Sequence, residues 1–455
     1  MSRLTGARHR GRLVLAVSAL GALTAACSSG TTTSSAGAST THAIGLRLET
    51  LVDHSRSTPA NATAAGHPGR ILGTAILYPA TGTPGPQPVT DATPDRAQGP
   101  YPLIVFAHGF GSNVTSYLPL LERWAEAGFV VAAPLFPLTN SKAPGGPDLS
   151  DYIHQPGDMS FVVTQMLRQS SASSTFLSGL VNPAEVGAAG HSLGGVTTLG
   201  LVANSCCRDD RIKAAVVISG DPITFTTGKV EDDDAPPLLL VHGNADPTVP
   251  YVSSIDVFNR ARAPKGLLTL IGGNHNAPVN ASGPAFGDVV RTTTDFFDRY
   301  LWGQPSALTR LEHDAQKGIT TLTFVAQPGR HVTLPVPSTV PVGNLRATVT
   351  PSRGLKNGQG VTVSWSGYAP GVSINILECS KSPPTQATDC DLKAGQADIL
   401  ENDPTGTGSL SFTVTAGVVG SGTCDATHPG CVVVVNQGAS LAPAATTVVP
   451  ISFGG

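Results

Sequence analysis

A serine sits among glycines in Gly190-His191-Ser192-Leu193-Gly194-Gly195. The apolar run 186–189 precedes it, and a helical pattern over 195–204 follows. Strand, sharp turn and helix in that order are the setting a G-x-S-x-G nucleophile elbow requires. The turn holds the serine in strained dihedrals, and the flanking glycines let neighbouring backbones pass. The helix behind the turn points its N-terminus at the hydroxyl and favours a developing oxyanion. A glycine-rich β–α turn with an incidental serine is written with the same residues, so the partners decide.

A serine hydroxyl is a poor nucleophile at neutral pH and needs an imidazole base oriented by a carboxylate. Asp246 is the acid candidate: the run 238–241 ends, His242-Gly-Asn-Ala turns, and Asp246-Pro-Thr-Val-Pro250 follows. The bland reading of Asp246 is an Asx turn before proline. Asp221, in Ser219-Gly-Asp221-Pro222, is the rival acid. His275 is the base candidate, reached from the run 267–271 through Gly-Gly-Asn. The steps from Ser192 to Asp246 and on to His275 are 54 and 29 residues. The first suits a βα unit plus a strand, the second a helix plus a strand. His313 and His331 lie beyond the last helix of this region and are minor rivals. His108, His191 and His242 flank strand ends and read as turn-holding residues, while His154 reads as a lining residue. An oxyanion hole needs two backbone N–H donors. Leu193 supplies one; the other is assigned to Phe110 in His108-Gly109-Phe110-Gly111, with Gly111 next.

These residues need a scaffold that brings them to one edge. From 46 to 303, short apolar runs alternate with helical patterns. The runs are 73–78, 103–107, 130–133, 186–189, 214–218, 238–241 and 267–271; the helices are 118–127, 158–169, 195–204 and 288–301. Runs apolar on both faces are buried strands of a mainly parallel sheet, so the class is α/β, doubly wound. Ligands of such sheets bind at the carboxyl ends of the strands. The segment 135–157, with four prolines, is expected to form part of the rim. From 343 to 455 the pattern changes to β-branched, period-two alternation, as in Val361-Thr-Val-Ser-Trp-Ser366, which predicts an all-β sandwich. Residues 304–342 read as a connector with some β structure, in the strand-like pieces 319–325 and 331–336.

Charged residues make up 13% of the 455, about half the usual ~25% share. With a net charge of -3 and 5% aromatics there is no basic stripe and no stacking platform, so nucleic acid is excluded as a partner. Neither a paired Cys-x-x-Cys pattern nor a catalytic metal-ligand spacing occurs, and no metal or organic cofactor is expected. The acidic run 231–234 reads as a solvated loop rather than a calcium site.

Arg3, Arg8, Arg10 and Arg12 precede a 14-residue stretch of small and apolar residues that is too short to span a bilayer. Residues 1–27 therefore read as an export signal. Leu23-Thr-Ala-Ala-Cys27 is similar to a lipobox, departing from it at Thr24, and places a lipid anchor on Cys27. Simple secretion after a small-residue cleavage is the other reading. Residues 28–45 form a flexible tether. Cys379, Cys390, Cys424 and Cys431 suit two disulfides in an oxidising compartment. Three pairings are open, and the sequential one closes the shortest loops. Cys206-Cys207 reads as a vicinal disulfide, two thiols or half of an intermolecular link.

Residues 46–303 resemble the α/β-hydrolase superfamily, in its dienelactone-hydrolase-like, platelet-activating-factor-acetylhydrolase-like and polyester-hydrolase-like branch. The resemblance rests on HGFG at 108–111, GHSLGG at 190–195, HGNADPTVP at 242–250 and the later GGNH. Asp53-His-Ser-Arg56 and Ile71-Leu-Gly-Thr-Ala-Ile-Leu-Tyr78 add a start similar to that of acetylhydrolase-like members. Residues 343–455 resemble the neocarzinostatin-like apoproteins through Ala347-Thr-Val-Thr-Pro-Ser-Arg-Gly-Leu355, Glu378-Cys379 and Val449-Pro-Ile-Ser-Phe453. That resemblance implies a seven-stranded immunoglobulin-like sandwich with Cys379–Cys390 and Cys424–Cys431 bonded. It also implies either a spacer that meets a surface partner or a holder of an apolar ligand. With the export signal at 1–27, the first resemblance implies an exported serine ester hydrolase, and the compartment and the apolar Phe110 suit lipid or short-acyl esters. Peptidase, thioesterase and dienelactone-type hydrolase chemistry stay open. A thiol dienelactone hydrolase would carry Cys, and a dehalogenase Asp, where Ser192 stands. The rival from another class is a non-catalytic ligand-binding protein on a hydrolase scaffold.

Overall fold

Every residue of Tyr101–Ala107 is buried. A strand hides both faces only when helices cover its sheet on each side. Leu103, Val105 and Ala107 enter one apolar layer with Met159, Val162 and Phe258. Ile104 and Phe106 enter the other with Trp124, Phe296 and Phe297. The computed structural model in which this is seen describes residues 41–454, except 224, 226–227, 231–234, 329, 331, 336–343, 369–371, 386–388, 393–396, 404 and 438–445. Cys27, the tether up to residue 40, the acidic run 231–234 and His331 lie outside the described residues.

The strands of the first layer are β1 (Ala43–Asp53), β2 (Arg70–Ala80), β3 (Val89–Thr90), β4 (Tyr101–Ala107), β5 (Val130–Leu135), β6 (Val181–His191), β7 (Ile212–Ile218), β8 (Leu238–Gly243), β9 (Lys265–Leu270) and β10 (Thr320–Val325). The helices are α1 (Leu118–Glu126), α2 (Gln155–Ser171), α3 (Leu193–Ala203), α4 (Tyr251–Arg260), α5 (Phe286–Tyr300) and α6 (Pro305–Leu311). The strands form one sheet in the order β10-β9-β8-β7-β6-β4-β5-β2-β1-β3. From β5 through β4, β6, β7 and β8 to β9 all pairs are parallel. The α2, α3 and α4 helices bury apolar residues in the first core layer; α1 and α5 bury theirs in the second. The class is therefore α/β and doubly wound, as the alternation predicts. The carboxyl ends of β4, β6, β8 and β9 come to one edge, where the loops of the candidate residues begin.

Two elements go beyond the sequence reading. In the stretch taken as a connector, β10 pairs antiparallel with β9, from Thr320 opposite Leu270 to Val325 opposite Lys265. It is the strand-like piece 319–325, and it belongs to the main sheet rather than to a separate connector; the other piece, 331–336, forms no strand over its described residues 332–335. The α4 helix has Ser253, Ser254 and Asp256 among its ten residues, which mask the stripe of Ile255, Val257 and Phe258.

The second layer contains β11 (Arg346–Thr350), β12 (Gln359–Ser366), β13 (Val372–Cys379), β14 (Ala397–Asp403), β15 (Gly408–Val414), β16 (Gly417–Val419), β17 (Gly422–Cys424), β18 (Val432–Gln437) and β19 (Thr446–Pro450). A three-stranded sheet, β11-β12-β15, and a four-stranded sheet, β14-β13-β18-β19, share one core. Val363, Trp365 and Phe412 meet Ile374, Ile376 and Val433 there. A β16–β17 hairpin completes the sandwich. Cys379 is bonded to Cys390 and Cys424 to Cys431, the sequential pairing; Cys206 and Cys207 form a vicinal disulfide. These bridges are consistent with an extracellular protein. Among the described residues no helix is long and apolar enough to cross a membrane.

Candidate active site

The chain leaves β6 at His191 and enters α3 at Leu193, so Ser192 alone makes the turn. Its backbone has φ 57° and ψ -121°, a left-handed conformation that costs a non-glycine residue ~1–3 kcal/mol. The surrounding structure holds it: the Ser192 amide donates to the Ile218 carbonyl at 2.9 Å, and the Gly195 amide donates to the Ser192 carbonyl at 2.8 Å. A Cβ on Gly194 would run into the Ala107 carbonyl, and one on Gly190 into the backbone of Gly194. Both positions must be glycine for this turn to lie against β4.

Three side chains from three loops meet at this turn. Ser192 Oγ donates to His275 Nε2 at 2.9 Å, and His275 Nδ1 donates to Asp246 Oδ2 at 2.7 Å. The other carboxylate oxygen, Oδ1, accepts the amides of Thr248 and Val249 at 2.8 and 3.0 Å. Burial works to raise the Asp246 carboxyl, but hydrogen bonds from His242 and His275 outweigh it and hold it well below the usual range. Asp246 is thus a fixed anion that selects the His275 tautomer with Nε2 open to the serine.

The rival acid is placed elsewhere. Asp221 borders the same cavity but bonds Ser253 rather than His275, and burial pushes its carboxyl up. His313 is exposed and bonds the Thr309 carbonyl at the end of α6. His154 lines a neighbouring 370 Å³ cavity with Asp148 and Asp151, not the one at Ser192; the expectation that it lines the site is corrected. The rim expectation for 135–157 is met by Leu149 and Tyr152.

The amides around Phe110 separate the two oxyanion candidates of that loop. Gly109 N–H donates to Tyr117 Oη at 2.9 Å, and Gly111 N–H donates to the Thr139 carbonyl at 2.8 Å. The Phe110 and Leu193 amides have no such partner among the described residues, and both residues border the cavity with Ser192. His108 fastens the loop, with Nδ1 bonded to the Gly109 carbonyl at 2.8 Å and Nε2 accepting the Phe136 amide at 3.1 Å. Its burial pushes it down to about 4, so it stays neutral.

Two histidines read from the sequence as turn-holders do more. His242 Nε2 lies 3.0 Å from Asp246 Oδ2, and its Nδ1 lies 2.7 Å from Ser254 Oγ. Asp246 therefore holds two imidazoles. His191, pushed down to about 3 chiefly by burial, is a neutral ring. Tyr117 Oη donates to His191 Nδ1 at 3.1 Å, and His191 Nε2 donates to the His275 carbonyl at 3.0 Å. The series Gly109–Tyr117–His191–His275 ties the oxyanion loop to the base loop. No local sequence pattern marks it, because its members come from three strand ends and a helix start.

The site opens into a cavity of about 710 Å³, large enough for a drug-sized ligand. Such an arrangement can form and hydrolyse an acyl-enzyme.

Known proteins match each layer. Residues 72–246 match the Chlorophyllase family model, and residues 347–453 match the Neocarzinostatin family model. The first match contains Ser192 and Asp246 and ends before His275. The uncharacterized protein YfhR of Escherichia coli O157:H7 is 25% identical over 209 residues, covering 41% of this chain. The chain spans 66% of that relative's length. A solved structure of ferulic acid esterase from Streptomyces cinnamoneus is 21% identical, with a TM-score of 0.46, over 64% of this chain and 98% of its own. The chain joins a chlorophyllase-like α/β-hydrolase layer to a neocarzinostatin-like β-sandwich.

Proposed function

We propose that this protein is an exported carboxylic ester hydrolase that works through a Ser192–His275–Asp246 acyl-enzyme cycle on lipid or short-acyl esters. The observation that carries the proposal is the unbroken series of hydrogen bonds from Ser192 Oγ through His275 to Asp246. Ser192 Oγ attacks the ester carbonyl while His275 Nε2 takes its proton. Asp246 stabilises the imidazolium without becoming protonated. The Phe110 and Leu193 amides hold the oxyanion. His275 then gives the proton to the leaving alkoxide, and the alcohol departs. Water, deprotonated by His275, attacks the acyl-enzyme; collapse of that adduct frees the acid and restores Ser192.

A fluorophosphonate probe tests the proposal. The purified protein is expected to take up one equivalent, with the adduct on the peptide containing Ser192. A protein that stays unlabelled and leaves a p-nitrophenyl acyl series uncleaved overturns it.

The lipobox-like Leu23-Thr-Ala-Ala-Cys27 supports a lipid on Cys27 and a place on the outer side of the cell membrane. Palmitate incorporation is expected in wild type and lost in Cys27→Ala. Equal incorporation in both, or none in wild type, removes the anchor.

A further inference from the structure

We infer that the outer face of the four-stranded sandwich sheet is the far wall of the Ser192 cavity, and that the substrate is an ester with a bulky, largely apolar body. The inference rests on the Ser192 reading and adds the substrate class to it.

Period-two alternation sends Ile374 and Ile376 of β13, and Val433 and Val435 of β18, into the sandwich core. The residues between them, Asn375, Leu377, Val434 and Asn436, face the other way. On a sandwich standing alone that face meets water and is polar. Here Leu377, Val432 and Val434 are buried in a second cluster with the Cys379–Cys390 bridge and Leu392. Leu149, from the catalytic layer, packs against that cluster. The Leu149 amide also donates to the Leu392 carbonyl at 3.3 Å, so the two layers are joined backbone to backbone.

The same face reaches the catalytic serine's cavity. Asn375, Leu377, Leu392 and Asn436 border it together with Ser192 and His275. Asn375 and Asn436 are direct cross-strand partners, as are Leu377 and Val434. Two primary amides therefore stand side by side on an otherwise apolar wall. Tyr152, Leu193, Val196 and Ile223 form the apolar side given by the catalytic layer.

Of the lipid and short-acyl esters proposed above, the dimensions favour the bulkier, apolar kind. An acetyl group occupies a small part of 710 Å³ and leaves the sandwich wall unused. A larger apolar body reaches Leu377 and Leu392 across the cavity.

The test uses the full chain and two probes, p-nitrophenyl acetate and the p-nitrophenyl ester of N-(2-naphthoyl)glycine. The quantity read is the ratio of kcat/KM for the second ester over the first. Asn375→Trp places an indole in the cavity and is expected to lower that ratio by about tenfold or more. Ser409→Trp, at an exposed position of β15 on the other sheet, is the control, and its ratio should stay within about twofold of wild type. Leu377→Ala, which removes wall contact without adding bulk, is expected to lower the ratio by about fivefold and serves if Asn375→Trp does not fold. An unchanged ratio in a folded Asn375→Trp, or in Leu377→Ala where the first is unfolded, overturns the wall while wild-type labelling by fluorophosphonate keeps the serine reading. A wild type that takes no label and cleaves neither ester overturns both.

Discussion

Ser192→Ala is expected to lower kcat for a p-nitrophenyl ester by about 10⁴–10⁶-fold and to abolish fluorophosphonate labelling, with the melting temperature held near wild type. The reason for so large an effect is that the hydroxyl is the atom that forms the covalent bond. Alanine keeps the Cβ, so the chain stays at φ 57° and ψ -121° with the same backbone cost. The Phe110 and Leu193 amides also stay, and they alone can still polarise a bound ester. That leaves a residual rate above water rather than zero. In the proposed cycle Ser192, His275 and Asp246 act as one unit, so adding His275→Ala to the serine variant should cost little more. Turnover above about 1% of wild type in Ser192→Ala, or a probe adduct that persists, would mean that the reacting oxygen belongs to another residue.

The triad was legible in the sequence because each member follows an apolar run that ends in a turn. Ser192 lies in a strand–turn–helix pattern confined to a few residues, and Asp246 and His275 each close a βα step. The geometry that supports them was less visible. Tyr117, His191 and the His275 carbonyl meet across the sheet edge, and contacts between strand ends leave no periodic trace. His242 reads as a turn-holder because it flanks a strand end; that it shares the Asp246 carboxylate with His275 is a three-dimensional fact. The sandwich did leave a trace. The run Val432-Val-Val-Val435 is apolar on both faces, which in a strand means that both faces are covered. Read with that rule, it implies something packed on the outer face, and Leu149 is part of it. The serine-rich α4 was lost for the opposite reason: polar residues diluted its apolar stripe.

The second large effect is on stability and lies at Arg70. This side chain is fully buried at the start of β2. Its Nε and Nη2 donate to the two oxygens of Asp158, each at 2.6 Å, and its Nη1 and Nη2 donate to those of Asp151 at 2.9 and 2.8 Å. Arg56 adds a contact to Asp158 at 2.8 Å. Arg70→Met keeps the length and removes the charge, leaving two carboxylates buried with Arg56 and His154 nearby. Breaking a buried pair in this way costs about 3–5 kcal/mol, so a fall in melting temperature on the order of 10 °C is expected by calorimetry. Burial already pushes the Asp158 carboxyl up against the guanidinium hydrogen bonds, and without Arg70 it rises further. A carboxyl raised in the folded state stabilises most when protonated, and that contribution is lost as pH rises through its folded pKa. The deficit of Arg70→Met relative to wild type should therefore be smaller at pH 5 than at pH 8. Replacing Asp151 and Asp158 with leucine in the same chain should recover much of the loss, because it is the stranded charge, more than the missing attraction, that destabilises. Activity should fall with stability: Asp151 lies between Leu149, which packs on the sandwich, and Tyr152, which lines the cavity, so the charge network fixes the wall that both domains share. A deficit under about 1 kcal/mol, or one that grows toward acid, would show that the two carboxylates do not need Arg70.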